Sequence, residues 1–214
     1  KAIILNSVHY GVPQERIRIF IIGVRKDLML DPQEIYDGIK KTHYGRFEEC
    51  DHNLEKFVSV EEAISDLPFL LAGEGHSPMP YDCKKPNKYL LKLNKSFQTF
   101  VFDHIARNHN ELDVKRFRVM AKNRWNFLQL LENRPDLAHK KRRVFFNSYK
   151  VQWWENPSKT IISHLYKDGN QFIHPDYQQA RSLTVREAAR LQSFPDDFEF
   201  CGPRTEQFKQ IGNA

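Results

Sequence analysis

The strongest local signal in the sequence is a helix-capping pattern close to its C-terminal end. Thr184 is followed three residues later by Glu187. In such a capping box the threonine hydroxyl accepts a hydrogen bond from the Glu187 N–H, and the glutamate carboxylate accepts one from the Thr184 N–H. A helix is therefore predicted to begin at Val185. It is predicted to end near Ser193, because Pro195 disfavours helical backbone at the preceding residue and has no N–H to donate.

A second capping box predicts another helix nearer the start of the chain. Ser59 and Glu62 have the same three-residue spacing, and Pro68 ends the short helix that they open. The flanking segments are less regular. Residues 27–57 are polar and mixed, without a clear period, and residues 71–87 have the glycine and proline content of a loop.

Two apolar runs near the N-terminus predict a β-hairpin. Residues 1–5 are apolar after the first lysine, residues 6–14 carry the Asn, Gly and Pro of a loop, and residues 17–24 read IRIFIIGV. The second run has apolar side chains on both faces, which is typical of a strand inside a covered sheet. We expect the two runs to pair in antiparallel fashion.

Side chains alternate along a strand, so Gln14, Arg16, Arg18, Phe20 and Ile22 are expected to share one face. Two arginines at the start of so apolar a strand are costly without partners or water. They are therefore predicted to lie at a rim, against something anionic or hydrogen-bond accepting. From the residues alone, salt bridges to neighbouring carboxylates are the favoured explanation.

The composition limits the class of protein. The chain has 214 residues, of which 40% are hydrophobic, enough for one large or two small domains. No apolar run reaches the ~18 residues of a membrane helix and no signal peptide is recognisable, so the cytoplasm is the expected compartment. The three cysteines, Cys50, Cys83 and Cys201, are scattered and odd in number. That pattern predicts neither a disulfide framework nor a metal site.

The charge is moderately basic. There are 33 Lys and Arg against 27 Asp and Glu, a formal net charge of +6, with a pI near 9.2. This excess fits a nucleic-acid partner, and fits an ordinary basic enzyme equally well.

Residues 113–131 carry apolar side chains at helical spacing, which predicts a core-facing stripe. Its members are Phe117, Met120, Ala121, Trp125, Leu128 and Leu131. The opposite face is basic, with Lys115, Arg116, Arg118, Lys122 and Arg124. A second basic cluster comes later in the chain, at Lys140, Lys141, Arg142 and Arg143. Charge runs usually form a solvated face, and contact with nucleic-acid phosphates is the alternative.

The segment from residue 142 to residue 181 alternates aromatic and polar side chains and contains two turn signals, Asn156-Pro157 and Asp168-Gly169. This pattern predicts several short strands. Its aromatic residues Tyr149, Trp153 and Trp154 could stack on bases, although aromatic side chains in small β modules are more often in the core.

Two of these segments, in this order, resemble motifs of the DNA cytosine-C5 methyltransferases. RSLTVREAARLQSFPDDF, with QIGNA after it, resembles motif IX and the opening of motif X, and NSVHYGVPQERIRIFIIGVR resembles motif VIII with its Gln-x-Arg-x-Arg segment. SVEEAISDLP resembles the segment that commonly comes after motif VIII in this family, and the pattern from Arg143 onwards resembles the end of the target recognition region. With both motifs present, target-base contact becomes the favoured role of the two arginines.

The resemblance implies an α/β fold. It would comprise part of a Rossmann-like S-adenosylmethionine-dependent methyltransferase sheet, here its terminal β-hairpin, plus a mixed α+β target recognition domain. Residues 1–70 would belong to the catalytic domain and residues 71–178 to the target recognition domain. Residues 179–214 would return to the catalytic domain through motif IX and the start of motif X.

The resemblance also implies a reaction and roles for particular residues. Such enzymes bind double-stranded DNA, extrude the target cytosine and methylate its C5 with S-adenosylmethionine; extrusion is required because the reacting atoms are unreachable in the stack. Arg18 matches the arginine that reaches the cytosine O2, with Gln14 and Arg16 beside it. Asn213 matches a residue next to the cofactor pocket. The basic residues Lys115, Arg118, Lys122, Lys140, Lys141, Arg142 and Arg143 become candidates for DNA binding, and no metal ligand is expected.

Three family features are absent from this sequence. It has no Gly-rich cofactor turn, no Pro-Cys dipeptide bearing the nucleophile and no Glu-Asn-Val. We therefore expect the C-terminal portion of a bacterial or phage restriction-modification methyltransferase, inactive alone, with most of the cofactor pocket on a missing N-terminal portion or a partner subunit. The alternatives are a natural subunit of a split enzyme and a non-catalytic DNA-binding module.

Overall fold

The computed structural model of the protein describes residues 2–93, 99–138 and 148–214. The strands in this part of the chain are short: β1 Ala2–Asn6, β2 Gln14–Glu15, β3 Ile17–Ile21, β4 His43–Tyr44, β5 Glu55–Lys56, β6 Met79–Pro80, β7 Phe100–Val101 and β8 Ser158–Lys159. The α-helices are α1 Pro32–Gly38, α2 Val60–Ile64, α3 Lys88–Leu93, α4 Glu111–Asn123, α5 Phe127–Asn133, α6 Val185–Leu191 and α7 Arg204–Asn213.

The N-terminal hairpin forms as predicted. Strands β1 and β3 pair in antiparallel register from Ala2 opposite Ile21 to Asn6 opposite Ile17. Strand β2 does not extend this pairing; it runs parallel to β8, with Gln14 opposite Ser158. The chain thus changes strand partner at Arg16, so the predicted single face from residue 14 to residue 22 is interrupted there.

The expectation of a covered sheet is not met within the described residues. Ile17, Ile19 and Ile21 are 61%, 67% and 79% exposed. The sheets of the described chain each have two strands, in the pairs β1–β3, β2–β8, β4–β5 and β6–β7. The mixed α/β class is confirmed, whereas the Rossmann-like sheet and the separate target recognition domain stay predictions.

Both capping boxes are confirmed. The Thr184 side chain accepts from the Glu187 N–H at 3.2 Å and Glu187 accepts from the Thr184 N–H at 2.7 Å, so α6 begins at Val185. Ser59 and Glu62 do the same at the start of α2. Helix α6 ends at Leu191, two residues before the predicted end.

The single helix predicted over residues 113–131 is wrong. Helix α4 ends where Arg124 adopts a left-handed backbone with φ of 58°, and a new capping box of Asn126 and Gln129 opens α5. Because of this break, the second half of the predicted apolar stripe faces a different direction from the first half. Met120 is fully buried, whereas Leu128 is 48% exposed.

The prediction of several strands after residue 143 is also wrong for the described residues 148–181. Outside β8, only isolated bridges at Val151 and Ile173 occur there. A few backbone hydrogen bonds link these segments, such as Gln152 N–H to the Ile173 carbonyl at 2.9 Å, and side chains add further partners for the backbone. Gln152 donates to the Gln171 carbonyl at 3.0 Å, and Arg107 donates to the carbonyls of residues 165–167.

Two hydrophobic clusters form the core. The first gathers α2, α3, α6 and α7, and every residue of α6 is buried in it. The second gathers α4 and α5 with Tyr149, Val151 and Ile173. Gly212 lets α7 pack directly on the 3₁₀ helix Ser163–Tyr166, since a Cβ there would lie 2.1 Å from the Ser163 nitrogen. The domain boundaries at residues 70 and 178 stay predictions.

Candidate functional site

Arg16, Arg18 and Asn213 line one cleft of about 510 Å³ between the N-terminal hairpin and helix α7. The sequence places Asn213 almost two hundred residues from the arginines, and only the tertiary fold brings them together. The remaining lining comes from Leu5, Ser7, Tyr10, Val12, Ile19, Phe20, Gln192, Phe194 and Ala214. The cleft therefore combines apolar walls with guanidinium and amide groups.

Arg16 is held in place by backbone oxygens. Its Nη1 donates to the Ile161 carbonyl at 2.8 Å and its Nη2 donates to the Ala214 oxygen. The Asn6 side chain accepts from the Arg16 N–H at 3.0 Å, which fixes the backbone at the point where the strand changes partner. Burial, and then the positive charge of Arg18, lower the pKa of Arg16. An arginine nevertheless stays protonated, so the cleft is electropositive.

Arg18 is the less constrained of the two arginines. It is exposed, and its Nη1 donates only to the neighbouring Ile17 carbonyl, at 2.8 Å. Neither Arg16 nor Arg18 has an aspartate or glutamate within ion-pair distance in the part of the chain that the structure describes. The salt-bridge explanation of these residues is therefore not supported, and Arg18 lines the cleft with donors beyond the one that its Nη1 gives to Ile17.

Gln14 does not line the cleft, contrary to the shared-face expectation. It is fully buried; its Nε2 donates to the Leu191 carbonyl at 3.1 Å, and its Oε1 accepts from the Ile161 N–H at 2.8 Å. The cause is the pairing of β2 with β8, which turns the Gln14 side chain into the core. Gln14 thus ties strand β2 to the end of α6 and to the residue whose carbonyl holds Arg16.

Three buried arginines lie on or next to helix α6: Arg186 and Arg190 belong to it, and Arg181 precedes it. Arg181 binds the Glu187 carboxylate with two hydrogen bonds of 2.8 and 2.7 Å. Arg190 binds Asp196 and Asp66. Arg186 donates to the carbonyls of Phe102, Pro195 and Phe198, and it also lies within ion-pair distance of Asp103 and Asp196, at 3.7 and 3.9 Å. These contacts join α6 to residues on both sides of it in the sequence.

The predicted DNA-binding residues are only partly described. Lys115, Arg118 and Lys122 are exposed on α4, and the first two line a cleft with His109 and Gln179. Arg116, placed on the same face by the helical period, is buried, where it binds Asp113 and Tyr149. Lys140, Lys141, Arg142 and Arg143 lie outside the described residues.

Among the aromatic candidates, Tyr149 belongs to the core. Its ring stacks on Phe127 with 4.6 Å between centroids. Trp153 and Trp154 are half-buried, and each packs against one of the two hydrophobic clusters. The cysteines are free, and none lines the cleft of the two arginines. Searched over the described residues, the chain has no group of three or more His, Cys, Asp or Glu side chains able to hold a metal ion.

The sequence analysis missed Gln192 and Phe194 as lining residues of the cleft. Both lie within the motif IX string, just after the observed end of α6 at Leu191. Their signal is present in that string, but a helix end by itself does not indicate a cleft. Gln192 donates to the Ile211 carbonyl at 2.6 Å and so links this turn to α7.

Comparison with known structures assigns the fold to a class of protein. A solved structure from E. coli, described as a DNA modification methyltransferase encoded within a prophage, matches the whole chain and 55% of its own length. The TM-score is 0.64 at 21% sequence identity. The chain therefore has the fold of that part of a DNA methyltransferase.

The sequence comparison assigns the family. Residues 1–214 match the family described as C-5 cytosine-specific DNA methylase, and the chain belongs to that family. Type II methyltransferase M.Bpa9945I of Bacillus paralicheniformis is 34% identical over 99% of this chain and 46% of its own length. M.DdeI of Desulfomicrobium norvegicum is 34% identical over 99% and 50%. The plant DNA (cytosine-5)-methyltransferase CMT2 of Arabidopsis thaliana is 28% identical over 99% and 20%.

The chain thus spans about half the length of the bacterial relatives that it matches. Within the described residues, every helix is too short or too polar to cross a membrane.

Proposed function

We propose that this chain is the part of a DNA cytosine-C5 methyltransferase that recognises a specific duplex sequence and positions the extruded target cytosine for methyl transfer from S-adenosylmethionine. The type II names of its bacterial relatives favour a role in restriction-modification, in the cytoplasm of a bacterium. The observation that carries the proposal is the pair of guanidinium groups, Arg16 and Arg18, at one cleft with Asn213 and without carboxylate partners in the described residues.

The chemistry of the base fits this pair. A cytosine that has left the duplex presents its O2 as a hydrogen-bond acceptor, and an enzyme reads such a base through the edge that pairing normally hides. A guanidinium offers several donors in a fixed plane and keeps its charge. Arg18 has the free donors for this contact, whereas Arg16 is anchored to Ile161 and Ala214 and keeps the cleft electropositive. Gln14 would act indirectly, by holding the Ile161 backbone.

S-adenosylmethionine would supply the methyl group. The residues present fit one side of a site for such an amphipathic molecule, since the exposed Asn213 amide lies in the same cleft as the apolar Phe20 and Phe194 side chains. The chain's own contribution would be the Asn213 amide, with one donor group and one acceptor, at the edge of that site.

The experiment is replacement of Arg18 by alanine in the complete protein, with methyl transfer and DNA affinity measured separately. Turnover is expected to fall by at least about 100-fold, the scale of one lost transition-state donor, while DNA affinity changes little. Arg25→Ala is the matched control, because Arg25 lies further along the same segment, is exposed and pairs with Asp27 at 2.6 Å. An equal loss of affinity and turnover in folded Arg18→Ala protein would contradict the assigned role.

A second candidate is a DNA-binding module that takes part in no methyl transfer. The observation that fits it is the exposed basic face of α4, with Lys115, Arg118 and Lys122, none of which lines the cleft of the two arginines. Incubation of the complete protein with radiolabelled S-adenosylmethionine and host DNA separates the two candidates. Label transferred to cytosine supports the first candidate, and specific binding without transfer supports the second. The basic side chains of α4 and of residues 140–143 are the proposed phosphate contacts in either case.

A further inference from the structure

A second basic cleft, of about 370 Å³, lies at the break between α4 and α5. Four cationic side chains line it, Arg46, Arg124, Lys150 and Lys159, and we call it the donor groove. They come from distant parts of the sequence, and none belongs to the charge cluster at residues 139–143. Only the fold assembles them into one surface.

The donor groove carries an excess of positive charge. Arg124 is ion-paired with Glu155, and Lys159 with Glu15 at 3.0 Å. Arg46 and Lys150 have no aspartate or glutamate within ion-pair distance among residues 2–93, 99–138 and 148–214. The Arg124 guanidinium also lies over the Trp153 ring, 4.7 Å from its centroid, which orients it at the surface of the groove.

Neutral side chains add further donors. Asn126 Oδ1 accepts from the Gln129 N–H at 3.0 Å, and Gln129 Oε1 accepts from the Asn126 N–H at 2.9 Å. The capping box that breaks the predicted helix thus uses both amide oxygens and leaves both NH₂ groups as donors at the groove. A ligand that complements such a lining is anionic and rich in acceptors. A DNA phosphodiester group has both properties.

The donor groove is close to the cleft that contains Arg16 and Arg18. Lys159 belongs to β8, which pairs with β2, and the Ile161 carbonyl two residues further on accepts from Arg16. At ~3.3 Å per extended residue, these two backbone positions are about 7 Å apart. That distance is about twice the ~3.4 Å rise per nucleotide along the axis of a DNA duplex, so both clefts can contact neighbouring nucleotides.

We propose that the donor groove binds the DNA phosphates that flank the target cytosine, with Arg46 and Lys150, which form no ion pair in the described part of the chain, as its two phosphate contacts. The inference rests on the proposed function, because it requires a cytosine at the neighbouring cleft. It adds four residues to the proposed DNA surface. The charge clusters of the sequence do not indicate that these four lie together. Their role is to hold the duplex in register while the base is extruded.

The test is the double variant Arg46→Gln with Lys150→Gln in the complete protein. Binding to a fluorescent duplex that contains the methylation site is measured between 0.05 and 0.3 M NaCl. Each phosphate contact contributes about 0.9 to the slope of log K against log salt, so two lost contacts lower its magnitude by about 1.8. If both proteins bind equally at 1 M salt, the affinity of the double variant at 0.1 M salt is about 60-fold lower than that of the wild type.

Lys84→Gln with Lys85→Gln is the matched control, because it removes two exposed charges that line no described cleft. Its slope is expected to equal that of the wild type. Replacing single phosphodiester linkages near the cytosine by neutral methylphosphonates locates the contact. A linkage whose replacement weakens binding by the wild type should have no effect on the double variant, because the double variant no longer contacts that phosphate. Thermal melting checks that the variants are folded.

Three outcomes would overturn the inference. The first is a salt-dependence slope of the double variant equal to that of the control. The second is a loss of affinity that depends on the identity of the flanking base pairs, which would indicate base readout. The third is equal sensitivity of wild type and double variant to every methylphosphonate linkage. If the wild-type protein itself neither binds the duplex nor transfers methyl groups to cytosine, the proposed function fails as well. If it does both and the double variant matches the control, the proposal for the donor groove is wrong while the proposed function stands.

Discussion

Replacement of Glu187 by glutamine tests how the fold uses a capping box. Glu187 lies at the third position of α6, is 1% exposed and receives three hydrogen bonds. Two come from the Arg181 guanidinium, which is fully buried. Glutamine still has an oxygen to cap the helix, but its NH₂ group must face another donor. The substitution therefore leaves a buried guanidinium without its carboxylate.

The expected cost is set by that burial. Removing one partner of a buried ion pair destabilises by about 3–5 kcal/mol. This is a large part of the ~5–15 kcal/mol that stabilises a typical domain. The matched control is Glu62→Gln, since Glu62 caps α2 in the same way but is exposed and has no arginine partner among the described residues. It loses only its interaction with the helix dipole, about 0.3–1 kcal/mol.

Urea unfolding at pH 7.5, monitored by tryptophan fluorescence, measures both free energies of unfolding. The reasoning is refuted if Glu187→Gln destabilises the protein by less than about 1 kcal/mol more than Glu62→Gln. Arg181→Met in the Glu187→Gln background provides a further check. The two losses should be less than additive, by about 1–3 kcal/mol, because both substitutions remove the same interaction.

Two further predictions concern the buried histidines and the packing of α7. Burial lowers the pKa of His174 to about 3 and of His109 to about 4. The unfolded chain takes up these protons near pH 6.5 and the folded chain only at lower pH, so stability is present above pH 6.5 and is lost as the pH falls. Between pH 7.5 and 5.5 each histidine should cost about 1.4 kcal/mol; urea titrations showing an unchanged free energy would contradict this. Gly212→Ala should destabilise by at least about 2 kcal/mol, because its Cβ would overlap the backbone of Ser163. Gly38→Ala, where nothing lies within 4 Å of the added Cβ, should be neutral or stabilise by about 0.4–1 kcal/mol; similar melting shifts for both would show that close packing of α7 is unimportant.

The predictions that held were those that depend on neighbouring residues. A capping box involves two side chains three positions apart, so the starts of α2 and α6 could be read directly from the sequence. The N-terminal hairpin needed only two apolar runs and a loop between them. The prediction of one helix over residues 113–131 was wrong because it considered only the spacing of apolar residues. That spacing continues through Arg124, and the local capping box of Asn126 that breaks the helix was not recognised.

The candidate site was predictable only in part. Arg16 and Arg18 were identified from the resemblance to motif VIII, and Asn213 from the resemblance to motif X. The alternation of side chains along a strand did not predict that Gln14 turns inward. That orientation depends on β8, more than 140 positions away in the sequence. The donor groove had no continuous signal, because its four cations are separated by long stretches of chain.

The sequence by itself determined the family of the chain, the starts of two helices and the pairing of β1 with β3, because these depend on local geometry or on long motif strings. Tertiary structure alone decided which of two equivalent capping boxes would be buried on an arginine. It also decided which cations would converge on one surface. Burial and convergence depend on contacts between distant residues, and periodicity along the chain contains no information about those contacts.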